Sequence, residues 1–327
     1  MKTLLLTEQD IKKILTPHVA NETVEKAFRA YSTGSVDMPA KTYLHFPKGD
    51  LRSMPGYIFG EGFNIAGVKC VNVHPQNARR HLPSVMAVII LNDPETGFPL
   101  AVLDGTYLTC LRTGAAGAVA AKYLSREDAE VAGFVGSGAQ ARSQLACLLG
   151  VRKIRKIKIW QFAGDKEGAQ DFRRWAQKTF QLEAFISPRI DVVTLKSDIV
   201  IATTPARIPL VLRVSAGTHI NAIGADAPGK QEVDPVLLKK AKIIIDDWAQ
   251  ASHSGEINVP LRQKLIGRKD ISATLGDIVA GKRKGRRSDE EITLFDSTGL
   301  AIQDISCAWV VYRAQKNKRG IRSIRFF

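Results

Sequence analysis

The sequence predicts an α/β protein built on a doubly wound parallel sheet, and three observations carry that reading. The first is Val131 to Gln144, VAGFVGSGAQARSQ, where an apolar run breaks at Gly136-Ser137-Gly138 and restarts at helical spacing through Ala141, Leu145 and Leu148. The second is the alternation of apolar strands and helical patterns that follows as far as Phe295. The third is length: 327 residues exceed one ordinary core, so two domains are expected.

Strand, glycine turn and helix form the context in which G-x-G-x-x-G/A reads as a dinucleotide-binding turn. In this chain the pattern is Gly136, Gly138 and Ala141. Gly136 allows the tight turn, and Gly138 has no side chain to hold a pyrophosphate off the backbone. Ala141 lets the helix lie close to the strand with its N–H groups aimed at the phosphates. Similar turns occur in α/β proteins that bind no dinucleotide, but the surrounding alternation favours the nucleotide.

Taken in order, Thr7 with Asp10 forms a capping box, and Pro17 after Thr16 suits the first turn of a second helix. Val24, Ala27, Phe28 and Tyr31 follow at helical spacing. Between Val36 and Leu103 the runs Tyr43 to Phe46, Gly67 to Val73 and Val85 to Leu91 are β-rich and separated by Gly, Pro, Asn and Asp. They predict a mainly β domain with one sheet face covered by the N-terminal helices. LRTGAAGAVAAKYL, Leu111 to Leu124, carries the small residues Gly114, Gly117, Ala118 and Ala121 on one helix face, and the domain crossing is placed there. Ser125 and Asp128 form a turn into the glycine-motif strand. Beyond it, strands are expected at Ile154 to Phe162, Asp198 to Thr204, Thr218 to Gly224, Lys242 to Asp246 and Ile292 to Phe295. Helices are expected at Asp165 to Thr179 and after Asp234-Pro235. A last helix through Ile302, Ile305, Ala308, Trp309 and Tyr312 returns to the first domain.

Composition narrows the function. A 45% hydrophobic, 24% charged chain is that of a soluble globular protein. No apolar run approaches the ~20 residues of a membrane span, and MKTLLLTEQD is too short for a signal peptide, so a cytoplasmic enzyme fits. Four scattered cysteines form no C-x-x-C, which argues against a disulfide framework and a thiolate zinc site, and with no H-E-x-x-H present nothing argues for a catalytic metal. The net charge of +15 raises nucleic acid as a partner. Its densest runs, Lys282 to Arg287 and Lys316 to Arg325, accompany no nucleic-acid-binding signature and read as solvated surface.

Ligands in open parallel sheets lie beyond the carboxyl ends of the strands. Gly136 to Gln140, Thr203-Thr204-Pro205 and Gly224 to Lys230 arrive there. Asp226, between glycines, reads either as a general acid or base beside a bound nicotinamide or as an Asx-turn aspartate shaping its loop. In the β domain the cations Lys41, Arg52, Lys69 and Arg112 are candidates. A lysine aimed into a cleft carries protons, and arginine offers a fork to a carboxylate or phosphate; taken singly, each reads first as an ordinary surface cation.

The stretches MPAKTYL, KGDLRSMP, GVKCVNVHP, ETGFPLAVLDGTYLTCLRTGAAGAVAAKYL, GFVGSGAQA, INAIGADAPGKQE, GEINVP and DEEITLFDSTGLAIQD resemble the ornithine cyclodeaminase/mu-crystallin family, most closely its archaeal-type L-alanine dehydrogenase branch. They span nearly the whole chain in the expected order. The resemblance implies a Rossmann domain, 114–304, inserted into an α/β substrate-binding and dimerisation domain, 1–113 plus 305–327, in a homodimer without nucleic-acid or membrane partners. It implies NAD or NADP as cofactor and a small amino or imino acid as substrate. Lys41 and Arg52 would line the substrate site, with Lys69 as proton carrier and Asp226 at the acid/base position of the cyclodeaminases. Arg112 would meet the cofactor phosphates or the substrate carboxylate. Gly136, Gly138, Ala139 and Gln140 would lie under the pyrophosphate, Lys230 and Ser297 near the nicotinamide ribose, and Thr203, Ile223 and Gly224 against the cofactor. Gln161 stands where NAD enzymes carry an acid for the ribose 2′-OH, and a neutral side chain there removes the repulsion of a 2′-phosphate.

The activity implied is reversible oxidative deamination of L-alanine to pyruvate and ammonia. Ornithine cyclisation to proline, reduction of a cyclic imine such as pyrroline-2-carboxylate, and a crystallin-like protein that binds NAD(P)H without turnover are the alternatives.

Overall fold

The apolar start of the chain is a strand. In the computed structural model, which describes residues 1–327 with the side chain of Ala78 excepted, β1 (Thr3–Leu6) opens the first of two units, 1–112 with 300–327 and 113–299. Thr7 and Asp10 close the expected capping box over α1 (Glu8–Lys12), with the Thr7 N–H donating to Asp10 at 3.1 Å. Thr16 caps α2 (Pro17–Ser32), whose first residue is Pro17. Both satisfy N–H groups that a helix start leaves without partners.

The β-rich stretch then forms β2 (Val36–Asp37), β3 (Thr42–Phe46), β4 (Gly49–Ile58), β5 (Ile65–Val73), β6 (Val85–Asn92) and β7 (Pro99–Asp104). From β4 to β7 each strand pairs antiparallel with the next. Alternation places Ile65, Gly67, Lys69 and Val71 of β5 on the buried face. A lysine in that series breaks the binary pattern, and such breaks concentrate at functional positions. α3 (Thr106–Leu124) runs out of this unit at Arg112.

The second unit holds β8 (Val131–Val135), α4 (Ala139–Leu148), β9 (Lys156–Trp160), α5 (Lys166–Phe180), β10 (Glu183–Ser187), α6 (Ile190–Thr194), β11 (Ile199–Ala202) and β12 (His219–Ala222). It continues through α7 (Pro235–Lys240), β13 (Lys242–Ile245), α8 (Trp248–Ser254), α9 (Asn258–Arg262), β14 (Ile271–Thr274), α10 (Leu275–Val279) and β15 (Thr293–Asp296). The sheet runs β10-β9-β8-β11-β12-β15-β13-β14, and every pair is parallel. This is the expected doubly wound sheet. Along β11, Ile199 and Ile201 enter one core with Phe134 and Phe172, while Val200 and Ala202 enter the other with Ile220 and Leu294. Burial on both faces explains why the strand reads as a continuous apolar run. β10 and β14, at the two edges, were not anticipated. Their segments, EAFIS and ISAT, are only partly buried and lack the apolar run that marks the central strands.

The chain returns to the first unit as α11 (Ala301–Gln315) and ends with β16 (Ser323–Ile324). That unit's sheet runs β16-β1-β7-β6-β5-β4-β2, with β3 also on β4. The helix covering β4, β5 and β6 is α11 rather than an N-terminal one; α2 lies on α11, and α1 touches β1 and β7. Eight successive residues of α11, Ala301 to Ala308, are buried, so it needs cover on both sides, and the sheet and α2 supply it. Gly56 makes room: a Cβ there would come within 3.1 Å of Ile305 Cδ1. Among the described residues no helix is long and apolar enough to cross a membrane.

Candidate functional site

Each unit gathers its own set of polar side chains. In the second unit, successive strands run outward from β8 through β9 to β10, then resume on the other side of β8 with β11. The switch point therefore lies beyond the carboxyl ends of β8 and β11, where α/β sheets bind ligands. Gly136 directly follows β8, Gln161 follows β9, Thr203 follows β11, Ile223 and Gly224 follow β12, and Ser297 follows β15. Five neighbouring strands thus deliver these residues to one end of the sheet.

Gly136 has φ of +117°, and a Cβ on it would sit 2.6 Å from Thr203 Oγ1, so only glycine fits that turn. Gly138 precedes α4 in extended conformation with no side-chain cap, and a Cβ there would meet nothing within 4 Å. The start of α4 is open to an anion. Two buried hydroxyls at this end of the sheet, Thr203 Oγ1 and Ser297 Oγ, have no hydrogen-bond partner in the protein. Buried hydroxyls are nearly always satisfied, so these two favour a polar ligand at the site. Gln140 lies half-buried on the first turn of α4, and its side-chain carbonyl accepts from Ser143 at 3.3 Å. Ala139 is exposed beside it. Beyond the end of β9, Asp165 caps α5 by accepting from Gly168 N–H at 2.9 Å.

Asp226 and Lys230 form an ion pair at 2.5 Å on the loop after β12. Behind them lies a group that sequence reasoning did not single out. Glu232 is fully buried; its Oε1 accepts from Thr204 N–H at 2.6 Å and Thr204 Oγ1 at 2.7 Å, and its Oε2 from Gly224 N–H at 2.8 Å. Burial pushes this carboxyl up to about 7, against the pull of those donors. The N–H groups of Glu232 and Val233 donate in turn to Glu256 at 2.9 and 2.7 Å, and Glu256 N–H donates to Asp296 at 2.9 Å. Burial first, and then the Glu232 charge, hold Glu256 well above the usual carboxylate range. The signal was present in GKQE and GEINVP: an acid placed immediately beside a glycine loop in apolar surroundings.

In the first unit, Lys69 is 1% exposed and its Nζ donates to Asp304 Oδ2 at 2.7 Å. Arg112 donates from Nε to Asp304 Oδ1 at 2.9 Å and from NH1 to Gln303 Oε1 at 2.7 Å. Burial, followed by the Arg112 charge, lowers the Lys69 ammonium to about 7 against the pull of Asp304, and Lys41 lowers it further. Lys41, half-buried, is therefore within electrostatic reach of this cluster. Arg52 is buried on β4, donating to both Asp50 oxygens at 2.7 and 3.3 Å, with its guanidinium 5.4 Å from the Tyr43 ring centre. The structure brings Lys69, Arg112 and Lys41 together and places Arg52 against Asp50. Asp304 and Gln303 were not anticipated; an acid inside the apolar run GLAIQDISCAW was the available sign. Among the described residues no group of His, Cys, Asp or Glu is placed to hold a metal ion.

The profile of the ornithine cyclodeaminase/mu-crystallin family matches residues 1–319. An alanine dehydrogenase from Archaeoglobus fulgidus is 49% identical over all of this chain and 99% of its own. An archaeal alanine dehydrogenase dimer, solved with bound NAD, superposes with a TM-score of 0.95 at 48% identity, covering 100% of both chains. The Thermococcus litoralis Δ1-pyrroline-2-carboxylate reductase, solved with NADH and L-proline, gives 0.93 at 37% identity over 98% of this chain and 99% of that one.

Proposed function

Because this chain belongs to the ornithine cyclodeaminase/mu-crystallin family, we propose that it is an NAD(P)-dependent oxidoreductase that deaminates L-alanine reversibly to pyruvate and ammonia. The observation that carries the chemistry is Lys69, a fully buried ammonium lowered to about 7 and held by Asp304. A group with that pKa exchanges protons in either direction at neutral pH. The alanine assignment rests on the relative at 49% identity.

The residues at the carboxyl end of the second sheet fit a dinucleotide: an open helix start at Gly138 and two buried hydroxyls awaiting partners. Gly136, Gly138, Ala139 and Gln140 hold its pyrophosphate, Gln161 its adenosine ribose, and Thr203, Ile223, Gly224, Lys230 and Ser297 its nicotinamide end. When bound, it supplies a hydride acceptor for the substrate Cα. Arg52 and Lys41 anchor the substrate carboxylate, which fixes Cα; a misplacement of ~1 Å costs on the order of 100-fold in rate. Arg112 either joins that clamp or meets the cofactor phosphates. Lys69 takes a proton from the water that hydrates the imine and returns it to the departing amine, and Asp226 is the second proton carrier. Pyruvate and ammonia then leave.

The relative solved with L-proline favours one second reading, reduction of a cyclic imine with the same clamp. A panel of amino acids and cyclic imines, assayed with NAD and NADP separately, separates them. Alanine dehydrogenation produces NAD(P)H and ammonia together, imine reduction needs no ammonia, and ornithine cyclisation leaves nicotinamide absorbance unchanged. Binding of NAD(P)H with no turnover of any candidate would favour a crystallin-like role. With Gln161 neutral, NADP is expected to support turnover alongside NAD.

Gly138→Val is expected to weaken NAD binding by roughly tenfold or more while leaving the melting temperature unchanged, since its side chain projects into open space. Wild-type affinity in that variant would remove the phosphate bed from Gly138. The face of the first unit's sheet opposite α11 carries the partly exposed Leu51, Pro55, Val68, Met86 and Ile90 with Val88, 47% exposed. A second copy of this chain covers that face, and sedimentation as a monomer at micromolar concentration would contradict it.

A further inference from the structure

The carboxyl of Glu232 is the meeting point of two loops that belong to different strands. Thr204 follows β11 and Gly224 follows β12, and Glu232 accepts from the backbone N–H of each, as well as from the Thr204 hydroxyl. Thr204 is the immediate neighbour of Thr203, whose buried hydroxyl lacks a partner. Gly224 has no side chain because the space is taken: a Cβ there would lie 2.5 Å from Glu232 Oε2. Glu232 is itself fixed from behind, since its own N–H and that of Val233 donate to Glu256, and Glu256 N–H donates to Asp296, which precedes Ser297. Ser297 is the second buried hydroxyl without a partner. A chain of three buried carboxylates therefore links the backbone behind both orphaned hydroxyls.

We infer that Glu232 is a positioning residue for the nicotinamide end of the dinucleotide, clamping the loops after β11 and β12 through Thr204 and Gly224. The inference rests on the dinucleotide reading of the second unit. It assigns Glu232 no contact with the reacting atoms; it acts through the two loops.

The clamp requires the ionised form. A carboxylate accepts all three bonds, whereas a protonated carboxyl, or an amide in its place, turns a donor towards Gly224 N–H or Thr204 and loses at least one of them. The titratable groups facing Glu232 are Lys230, which favours its ionisation, and Glu256, itself held up by burial and by the Glu232 charge, with Asp296 next in line behind Glu256. With burial pushing Glu232 up to about 7, both forms are populated near neutrality. Dinucleotide affinity therefore falls as pH drops from about 8 to about 6.

The test uses the full chain without substrate. NADH binding is followed by fluorescence titration at both ends of that pH range, and amide exchange by mass spectrometry or NMR. Glu232→Ala is expected to bind NADH roughly tenfold more weakly, with faster exchange at Thr204 and Gly224 and unchanged protection in β8. Glu232→Gln, nearly isosteric and the safer variant for folding, is expected to bind at an intermediate level with its pH dependence flattened, which a merely structural role would not produce. Wild-type affinity in Glu232→Ala, or a wild-type pH dependence in Glu232→Gln, overturns the positioning role. If the unsubstituted protein fails to bind NADH, the dinucleotide reading falls and the role falls with it, a result distinct from variants that match a binding wild type.

Discussion

Replacing Lys69 with alanine is expected to lower kcat for alanine deamination by roughly 10²- to 10⁴-fold, with NAD affinity unchanged. The physical ground is that Lys69 lies fully buried with one carboxylate partner, and its ammonium is lowered to about 7 by burial and by Arg112. The sign of the pH dependence follows from its role. In deamination, neutral Lys69 must accept the proton of the attacking water, so the rate rises as pH passes upward through about 7. In reductive amination, the ammonium must give a proton to the departing hydroxyl, so the rate falls over the same interval. Lys69→Arg tests whether charge alone suffices, because a guanidinium stays protonated throughout. It should retain substrate binding better than alanine does and still lose the deamination rate. Full turnover in Lys69→Ala, or the same pH limb in both directions, would sink the proton-carrier assignment.

The parts that were legible in the sequence are those in which local pattern and burial coincide. Val131 to Val135 is apolar because both of its faces are covered, and Gly136 is glycine because its φ is positive and Thr203 stands against it. Strand, turn and helix could be written down from those letters alone. The alternation around Lys69 likewise placed it opposite Val68 and Cys70, and it lies on the buried face. What could not be read was the set of long-range polar partners. Lys69 meets Asp304 across 235 positions of chain, and Arg112 meets the same carboxylate across 192. No periodicity relates residues so distant, so α11 read as an apolar helix returning to its domain, while the carboxylate it carries inside stayed invisible. Glu232 and Glu256 escaped for the same reason, since their donors are backbone N–H groups of loops whose packing no local pattern dictates. The edge strands β10 and β14 were missed on other grounds, being too exposed to carry an apolar run.

These buried carboxylates divide into two kinds with different expected consequences. Glu232 holds backbone, with Lys230 acting on it through charge alone, so losing it loosens loops. Asp304 holds two cations, so losing it leaves charge without compensation. The distinction matters because a buried ion pair contributes little net stability over an apolar replacement, yet removing one member costs a great deal.

Asp304→Asn is accordingly expected to destabilise the first unit by about 3–5 kcal/mol, seen as a lowered melting temperature. Asp304 is 0% exposed and accepts from Lys69 Nζ at 2.7 Å and from Arg112 Nε at 2.9 Å. An asparagine of the same shape keeps one acceptor oxygen, but its amide turns donors towards one of the two cations. With the opposing carboxylate gone, burial and Arg112 act on Lys69 unchecked, and its pKa falls below the value it holds beside Asp304. Lys69 is then neutral at pH 7. The deamination limb moves to lower pH, while reductive amination, which needs the ammonium, loses rate across the neutral range. Lys69→Met supplies the contrast: it removes the proton carrier and leaves the Arg112–Asp304 pair intact, so the rate collapses with a much smaller loss of stability. Paired melting curves and pH profiles in both directions decide the matter. An Asp304→Asn protein with wild-type melting and an unmoved pH limb would show that Asp304 neither compensates the two cations nor sets the protonation of Lys69.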